Sequence, residues 1–501
     1  MPSARLVVDP AFRIGEVDPR LYGSFVEHLG RCVYTGIYEP GHPTADQDGF
    51  REDVAELTRE LGVPILRYPG GNFVSGYRWE DGIGPKDQRP TRLDLAWRSV
   101  ESNEVGTDEF CRWTRQVGSA PMLAVNLGTR GVDAAAALVE YCNHPGGTYW
   151  SDLRRKNGAA DPHDVRVWCL GNEMDGDWQI GHKTADEYGR LAAETAKAMR
   201  LVDPTLELVA CGSSNSRMPT FGSWEATILE HCYEYVDYVS LHSYYQERDG
   251  DKASFLASAL DMDTFIDAIV ATADHVRAKG RHKKRINLSF DEWNIWYQVG
   301  TEMSHDWAHA PRLVEDEYTL TDAVVVGNLL ISLLRHADRV SMACLAQLVN
   351  AIGAIRSEPN GAAWRQSIFH PFALTSRYGR GTVLRTAATG PSYETAWFGE
   401  VPVLDSVAVE SPDGTAVTVF AVNRDQRESL PLTVDLRGYP GLAVAHHTYV
   451  GDGDPQATNT AAHPNRVAPR TAAPSTVEGG KLEISLPPLS WNMIRVSPSQ
   501  G

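Results

Sequence analysis

Two apolar, β-prone runs of this chain each end on a glutamate. One covers Val165–Glu173 and the other covers Ile286–Glu292. A carboxylate placed where a buried strand leaves the core is costly to desolvate unless another group pairs with it. Two such carboxylates could act together, and the reaction that uses such a pair is the cleavage of a glycosidic bond.

Cleavage of a sugar bond requires two carboxyl groups in different protonation states. One must be protonated to assist the leaving oxygen, and the other must be ionised to attack the anomeric carbon or to activate water. When two carboxylates lie close together, the pKa of one of them rises, which favours a standing acid. Asn172 precedes Glu173 and carries a donor and an acceptor that could bind a sugar hydroxyl. Trp296, close after Glu292, offers an apolar face to a sugar ring.

The elements that must position these residues follow a strand–helix alternation. Between residues 20 and 350 most β-prone segments are separated by stretches with helical periodicity, such as residues 50–61, which Gly62 closes. This alternation predicts a (β/α)8 TIM barrel. The alternative is a doubly wound sheet, but Tyr22–Glu27 lacks the glycine-rich phosphate loop that such a sheet would need. The eight segments are Leu21–Glu27, Pro64–Tyr68, Pro121–Leu127, Val165–Leu170, Leu206–Cys211, Val236–Leu241, Ile286–Phe290 and Ser341–Leu345.

A barrel concentrates its chemistry at the carboxyl ends of its strands. Polar or aromatic side chains follow nearly all of the eight segments at that point. Two of them have open alternatives. Glu27 could contact substrate or form a buried ion pair with Arg67, and His242 could orient a carboxylate or be a core histidine bonded to a backbone carbonyl. The residues that follow the strands include Glu27, Asn72, Asn126, Asn172, Glu173, Ser213, His242, Tyr244, Glu292, Trp296 and Gln347.

The pattern changes after about residue 376. Short strands with two-residue alternation follow one another, and Ser411–Thr415 is a strong turn signal between two of them. This predicts an antiparallel β-sandwich, of jelly-roll type. We therefore expect an N-terminal strand at residues 1–18 that joins the sandwich, a catalytic barrel at residues 19–375, and the sandwich at residues 376–501.

Composition and charge narrow the partners. The 501 residues carry 47 Lys and Arg against 65 Asp and Glu, a formal net charge of −18. Such an acidic surface disfavours nucleic acid and anionic membranes as partners, and we interpret the basic run at residues 279–285 as a solvated loop. The start of the chain has no apolar core of signal-peptide length, and no run reaches the roughly 18 apolar residues that span a bilayer. The seven scattered cysteines predict buried free thiols in a reducing cytoplasm.

Four stretches resemble the intracellular α-L-arabinofuranosidases of glycoside hydrolase family 51, and the resemblance covers essentially the whole chain. Gly-Asn172-Glu173 on a fourth strand and Asp-Glu292-Trp on a seventh are typical of the wider superfamily of retaining (β/α)8 glycosidases. The stretches that narrow it to the family are Gly23-Ser-Phe-Val-Glu27-His-Leu-Gly, Arg67-Tyr-Pro-Gly-Gly-Asn72-Phe-Val-Ser-Gly-Tyr and Trp168-Cys-Leu-Gly-Asn-Glu-Met-Asp-Gly-Asp-Trp178-Gln179.

The resemblance implies roles for nine residues. Glu173 would be the general acid/base, and Glu292 the nucleophile that forms a covalent arabinosyl-enzyme. Asn172 would bind the 2-hydroxyl, and Tyr244 would position the nucleophile. Among the remaining five, the other ring hydroxyls would be held by Glu27, Asn72 and Gln347. The entrance would be lined by Trp97 and Trp296. The family needs no metal or organic cofactor, its members are commonly hexamers, and we expect an exo-acting enzyme with about 5 Å between the two carboxyl groups.

Three alternatives remain open at this point. A β-D-galactofuranosidase would act on a sugar with the same ring stereochemistry and one extra hydroxymethyl group. An endo-β-glucanase on the same scaffold would need an open cleft. A catalytically inactive sugar-binding oligomer is the alternative outside enzymology, although the presence of both carboxylates disfavours it.

Overall fold

The computed structural model describes residues 3–298 and 307–498. Eight parallel strands close into a barrel in which each strand pairs with the next in the chain and the last pairs with the first. Every one of the eight predicted strand segments overlaps one of them, so the predicted (β/α)8 barrel is confirmed. The strands are β1 (Gly23–Phe25), β2 (Ile65–Tyr68), β3 (Ala120–Val125), β4 (Val167–Leu170), β5 (Glu207–Ala210), β6 (Tyr238–Tyr245), β7 (Asn287–Ile295) and β8 (Val340–Leu345).

Helices cover the outside of the barrel. The predicted helix at residues 50–61 forms as α1 (Glu52–Leu61), which buries Val54, Leu57 and Leu61 on one face. It ends at Gly62, whose φ of 76° is left-handed. Because both faces of each barrel strand are covered, strands such as β4 are continuous apolar runs. The helices are α1 (Glu52–Leu61), α2 (Thr107–Val117), α3 (Val132–Asn143), α4 (Tyr149–Lys156), α5 (Ala185–Val202), α6 (Ser223–Cys232), α7 (Lys252–Leu256), α8 (Ala259–Gly280), α9 (Leu320–Arg335) and α10 (Phe369–Tyr378).

Strands β6 and β7 continue beyond the barrel core and carry polar residues to its carboxyl end. Their parallel register shifts between Ser240 and His242, and beyond the shift His242 lies opposite Glu292. A bulge of this kind re-aims the side chains that follow it, and bulges are frequent beside active sites. The strands themselves therefore bring His242 and Glu292 together.

Two sheets form the second unit. They pack face to face over a core that includes Leu6, Leu432, Val419 and Ile494. The first sheet orders Ala387–Thr389, Ala4–Val7, Leu430–Asp435, Lys481–Leu486 and Val477–Glu478. The second orders Arg13–Glu16, Thr382–Leu384, Leu404–Glu410, Val417–Asn423, Ser490–Pro498, Leu442–Val450 and Arg470–Thr471.

The strand pairing is antiparallel in both sheets with one exception. Ala4–Val7 pairs in parallel with Leu430–Asp435 and antiparallel with Ala387–Thr389. A strand contributed from the other end of the chain is not constrained by a hairpin, so it can enter in either direction.

The junction between barrel and sandwich lies at α10. This helix spans the boundary that the sequence predicts between residues 375 and 376, and we propose that the barrel unit ends at Tyr378. The sandwich packs on α9, all of whose residues from Leu320 to Leu334 are buried. At Gly327 an added Cβ would lie 2.2 Å from Cδ1 of Trp491, so the close approach of the two units requires glycine there.

Three short hairpins lie outside the barrel and the two sheets, namely Arg92–Asp94 with Ser99–Glu101, Ile355–Ser357 with Ala363–Arg365, and Ser392–Thr395 with Gly399–Pro402. All seven cysteines are buried and unpaired, as predicted. Across residues 3–298 and 307–498, no helix combines the length and the apolar character that crossing a membrane requires.

Candidate active site

A cavity of about 510 Å³ opens at the carboxyl ends of the barrel strands. Its volume is within the range of small-molecule sites, which is about 300–1,000 Å³. Strand ends and the loops after them supply its walls, as expected for a barrel. Eight of the nine predicted site residues line it, namely Glu27, Asn72, Trp97, Glu173, Tyr244, Glu292, Trp296 and Gln347.

The two glutamates meet at this cavity. Glu292 lies within β7, whereas Glu173 follows β4 after Gly171 and Asn172. Glu173 has a left-handed backbone with φ of 44°, an unfavourable conformation for a residue with a side chain and one that is found most often at functional sites. One carboxylate oxygen of each glutamate lies within 4.8 Å of the other. The two carboxyl groups can therefore reach opposite sides of one reacting carbon.

Two donors hold Glu292. Nη1 of Arg67 donates to Oε1 of Glu292 at 2.6 Å, and the hydroxyl of Tyr244 donates to Oε2 at 2.8 Å. Arg67 is almost fully buried, and its other terminal nitrogen donates to Oδ1 of Asn172 at 2.7 Å. A buried cation and a phenol hydroxyl thus bind both oxygens of Glu292 and fix its orientation.

Glu173 has a different environment. Nε1 of Trp178 donates to its Oε2 at 2.7 Å, and Nδ1 of His242 lies 2.9 Å from its Oε1. Burial raises the pKa of Glu173; the hydrogen bond from His242 opposes this rise, and the nearby charge of Glu292 adds to it. The net effect is a raised pKa, which suits a carboxyl group that must carry a proton.

His242 bridges Glu173 and Asp291. Its Nε2 lies 2.9 Å from Oδ1 of Asp291, so both ring nitrogens face carboxylates. Burial disfavours the charged ring, but Glu292, Asp291 and Glu173 outweigh it and raise the pKa of His242 to about 10. Of the two interpretations of His242, the structure therefore supports contact with a carboxylate and not a bond to a backbone carbonyl.

Glu27 lies at another part of the cavity wall and is almost fully buried. Its carboxylate accepts hydrogen bonds from the backbone N–H of Phe73 at 3.0 Å, Nε1 of Trp97 at 2.9 Å and Nε2 of Gln347 at 3.0 Å. Burial raises the pKa of Glu27 to about 8, and the charge of Glu292 acts in the same direction. The alternative ion pair with Arg67 is wrong, because Arg67 is bonded to Glu292 and Asn172 instead.

Asn172 is the one predicted site residue that does not line the cavity. It is 1% exposed and lies directly behind the wall, where Oδ1 accepts from Arg67 and Nδ2 donates to Oε1 of Gln179 at 3.4 Å. In this position it fixes the guanidinium that holds Glu292. Its contact with the substrate 2-hydroxyl stays a prediction.

Three residues of this network are not among the predicted site residues, namely Arg67, Trp178 and Asp291. Arg67 is the one charged residue in β2, an otherwise apolar strand, and a buried charge signals a buried partner. Burial would raise the pKa of Asp291, but Arg67 and His242 hold it below its usual value. Trp178 is 48% exposed, and its partner Glu173 could not be read from the spacing.

A metal ion could in principle use one ligand atom each from Glu173, His242 and Glu292, since these atoms lie within 4.8 Å of one another. Hydrogen bonds, however, already engage all three groups. The Arg67 guanidinium at 2.6 Å from Glu292 adds a fixed positive charge beside the same cluster. The donor set fits an acid–base network better than a cation site.

Comparison with known proteins agrees with this geometry. Two family models match, "Alpha-L-arabinofuranosidase 1 domain" over residues 57–263 and "Alpha-L-arabinofuranosidase C-terminal domain" over residues 291–490. The intracellular exo-α-(1→5)-L-arabinofuranosidase of Streptomyces lividans is 58% identical, over 100% of this chain and 76% of that protein. The chain belongs to the α-L-arabinofuranosidases of glycoside hydrolase family 51.

Two further relatives support the assignment. The exo-α-(1→6)-L-arabinofuranosidase of Bifidobacterium longum is 50% identical over 99% of this chain and 98% of its own length. A solved family 51 α-L-arabinofuranosidase, also from Bifidobacterium longum, superposes with a TM-score of 0.95 at 47% identity over 99% of both chains. This arabinofuranosidase is thus a glycoside hydrolase, as the sequence predicts, and the inactive-binder alternative is set aside.

Proposed function

We propose that this arabinofuranosidase is an exo-acting, retaining enzyme that releases terminal L-arabinofuranose from arabinan and arabinoxylan oligosaccharides by double displacement. The observation that supports retention is the separation of at most 4.8 Å between oxygens of Glu173 and Glu292. Retaining enzymes place their carboxyl groups about 5–5.5 Å apart, whereas inverting enzymes leave about 6.5–9.5 Å for a water molecule. Exo action is supported by both named relatives, which are exo-acting enzymes.

In the first step Glu173 donates its proton to the glycosidic oxygen while Glu292 attacks the anomeric carbon. The bond to the leaving sugar breaks, and an ester between Glu292 and arabinose forms. Arg67 and Tyr244 orient Glu292 before the attack. The raised pKa of Glu173 favours the protonated carboxyl group, which supplies the proton.

In the second step Glu173 removes a proton from water as that water attacks the same carbon. The bond to Glu292 breaks, and arabinose leaves with its original configuration. Esterified Glu292 carries no charge, so the repulsion that raises the pKa of Glu173 in the free enzyme is absent. Glu173 is then a better base at the stage when a base is needed.

The remaining predicted residues fit binding of the furanose ring. We propose that Glu27, Asn72 and Gln347 hold ring hydroxyls, because their polar groups share the cavity wall. Trp97 and Trp296 would line the entrance, and Tyr244 would position the nucleophile. Asn172, which lies behind the cavity wall next to Arg67, would bind the 2-hydroxyl.

A hydrolysis panel tests this function. Aryl α-L-arabinofuranoside should be cleaved faster than aryl β-D-galactofuranoside. Exo-cleavage of arabino-oligosaccharides should release one arabinose at a time and leave the oligosaccharide shortened by one unit. Oligosaccharides with 1→5 and 1→6 linkages belong in the panel, because relatives named for each linkage are at least 50% identical to this chain. Preference for the galactofuranoside, or early release of fragments of two or more units without free arabinose, would favour the alternatives.

We further propose that the enzyme works in the cytoplasm as a hexamer. The Streptomyces lividans relative is named intracellular, and all seven cysteines are free thiols, which suits a reducing compartment. The hexamer rests on the family resemblance alone. Light scattering coupled to gel filtration measures the oligomer directly, and a mass near 55.2 kDa, that of a single chain, would contradict it.

A further inference from the structure

A second cavity adjoins the active site. It has a volume of about 520 Å³ and is continuous with the first, because the two share wall residues. Its far wall includes Trp397 and Phe398, which belong to the sandwich and not to the barrel. The shared wall residues are Arg217, Tyr244, Tyr245, Arg248 and Asp261.

The wall that the sandwich supplies is held in place. Trp397 is at the tip of the hairpin formed by Ser392–Thr395 and Gly399–Pro402. The hydroxyl of Tyr393 donates to the carbonyl of Ala253 at 3.1 Å, and the N–H of Trp397 donates to Oγ of Ser254 at 3.3 Å. The hairpin is therefore fixed to α7 beside the opening of the active-site cavity. Trp397 itself is 50% exposed.

Two guanidinium groups lie against this tryptophan. Cζ of Arg217 and Cζ of Arg248 are 5.6 and 5.2 Å from the centre of the Trp397 ring. Within the described ranges, neither side chain forms an ion pair or donates a hydrogen bond.

Acidic residues near the pair offset its charge only in part: Asp249 and Asp261 act to raise the pKa of Arg248, but burial and Arg217 outweigh them. Burial, together with the charge of Arg217, lowers the pKa of Arg248, so the two cations repel each other. Asp251 is engaged with Ser254, and Asp261 forms no ion pair with either arginine among the described residues. An anion between the guanidinium groups would remove the repulsion and engage their donors in the bidentate geometry that favours carboxylates.

We propose that Arg217 and Arg248, held against Trp397, form a carboxylate-binding subsite for a uronic acid unit in the part of the substrate that leaves. This proposal rests on the proposed function, because it places the leaving oligosaccharide along the continuous cavity beyond Glu173. It extends that function to acidic arabinose-bearing oligosaccharides.

The test compares two substrates that differ in one group. One is a xylo-oligosaccharide with a single arabinofuranosyl branch and a glucuronic acid unit, and the other is the same compound after reduction of its carboxyl group to an alcohol. We expect kcat/KM to be higher for the acid by roughly 2- to 5-fold, the range of a partly exposed ion pair. The preference should decrease as salt is added, because the site is partly exposed.

Variants assign the preference to the arginines. Arg217→Gln with Arg248→Gln should bring the ratio of the two kcat/KM values close to one, and this ratio cancels any loss of activity that the two substrates share. The control is Arg190→Gln, because Arg190 is an exposed residue of α5 and its replacement also removes one positive charge. This variant should leave the ratio as in the wild type. Equal rates on both substrates in the wild type, or a preference that survives in the double variant, would overturn the subsite. Failure to cleave 4-nitrophenyl α-L-arabinofuranoside would instead overturn the proposed function.

Discussion

At the scale of single residues, the two glutamates differ in their partners more than in their exposure. Arg67 and Tyr244 donate to Glu292, whereas His242 and Trp178 donate to Glu173. A fixed cation stabilises the ionised form, and burial stabilises the protonated form. We base the proposed roles, Glu292 as nucleophile and Glu173 as acid, on this difference in partners.

Removal of each glutamate should give a different kinetic result. Glu292→Ala should abolish turnover of every substrate, because no covalent intermediate can form. Glu173→Ala should retain cleavage of aryl arabinofuranosides with good leaving groups, which need no protonation, and should lose arabino-oligosaccharides by roughly 10²–10⁴-fold in kcat/KM. Steady-state kinetics on both substrate types measures this. An equal loss on both types in Glu173→Ala would contradict the acid role.

His242 should set the upper limit of the pH range. Its charged ring donates to Glu173 and lowers the pKa of that carboxyl group, so His242→Gln should raise this pKa. Because activity is lost as Glu173 gives up its proton, the basic limb of the kcat/KM profile should move to higher pH by roughly one pH unit. His463→Gln, an exposed change, is the control. A basic limb that stays in place or moves to lower pH would show that His242 does not tune Glu173.

At the scale of elements, the loop after β2 controls the carboxylate of Glu27. An added Cβ at Gly71 would lie 2.7 Å from Oε2 of Glu27, inside van der Waals contact. Glycine at this position therefore lets the backbone approach the carboxylate that Trp97 and Gln347 also hold.

Gly71→Ala should displace Glu27 and reduce kcat/KM by roughly 10- to 100-fold, mainly through KM, while the protein stays folded. Gly41→Ala is the matched control, because nothing lies within 4 Å of its Cβ. Kinetics on aryl arabinofuranoside and the urea midpoint are measured for both variants. A wild-type KM in Gly71→Ala would show that Glu27 does not bind the substrate.

The elements themselves could be predicted from the sequence to a large extent. Apolar runs ending on polar residues mark the barrel strands, because parallel strands are buried on both faces and release their chemistry at one end. The partner choices within the site could not be predicted. Arg67 has Glu27, Glu292 and Asp291 within its neighbourhood on the rim, and strand stagger together with the shift in the β6–β7 register decides which of them it contacts.

At the scale of the whole molecule, the sandwich does more than cover the barrel. It packs on α9 through the close approach at Gly327. Its hairpin places Trp397 in the wall of the cavity that adjoins the active site. The sequence predicts both units but not this contact, because the hairpin at residues 392–402 carries no signal for where it docks. Nothing in the sequence distinguishes Arg217 and Arg248 from ordinary surface arginines, so the subsite could not be predicted either.

The buried site should make stability depend on pH. Glu27 and His242 have pKa values near 8 and 10 in the fold, against ordinary values of 4.5 and 6.5. Each therefore holds a proton in the native state that the unfolded chain has released, so each contributes stability at low pH that is lost as pH rises through the folded pKa. The urea midpoint should fall from pH 7 to pH 9.

Glu27→Gln is the informative variant for this pH dependence. Glutamine cannot lose a proton, so the fall in midpoint between pH 7 and pH 9 should be smaller than in the wild type. A wild-type midpoint that is constant or higher at pH 9 would contradict the raised pKa values of the buried network.

The stereochemistry of the product tests the paired-carboxylate mechanism most directly. Hydrolysis of an aryl α-L-arabinofuranoside in the presence of methanol, followed by ¹H NMR, reports the configuration of the methyl glycoside formed, which does not mutarotate. Attack by Glu292 and then by methanol inverts the anomeric carbon twice, so the product should be methyl α-L-arabinofuranoside. Formation of the β-anomer would show a single displacement and would contradict the role of Glu292 as nucleophile.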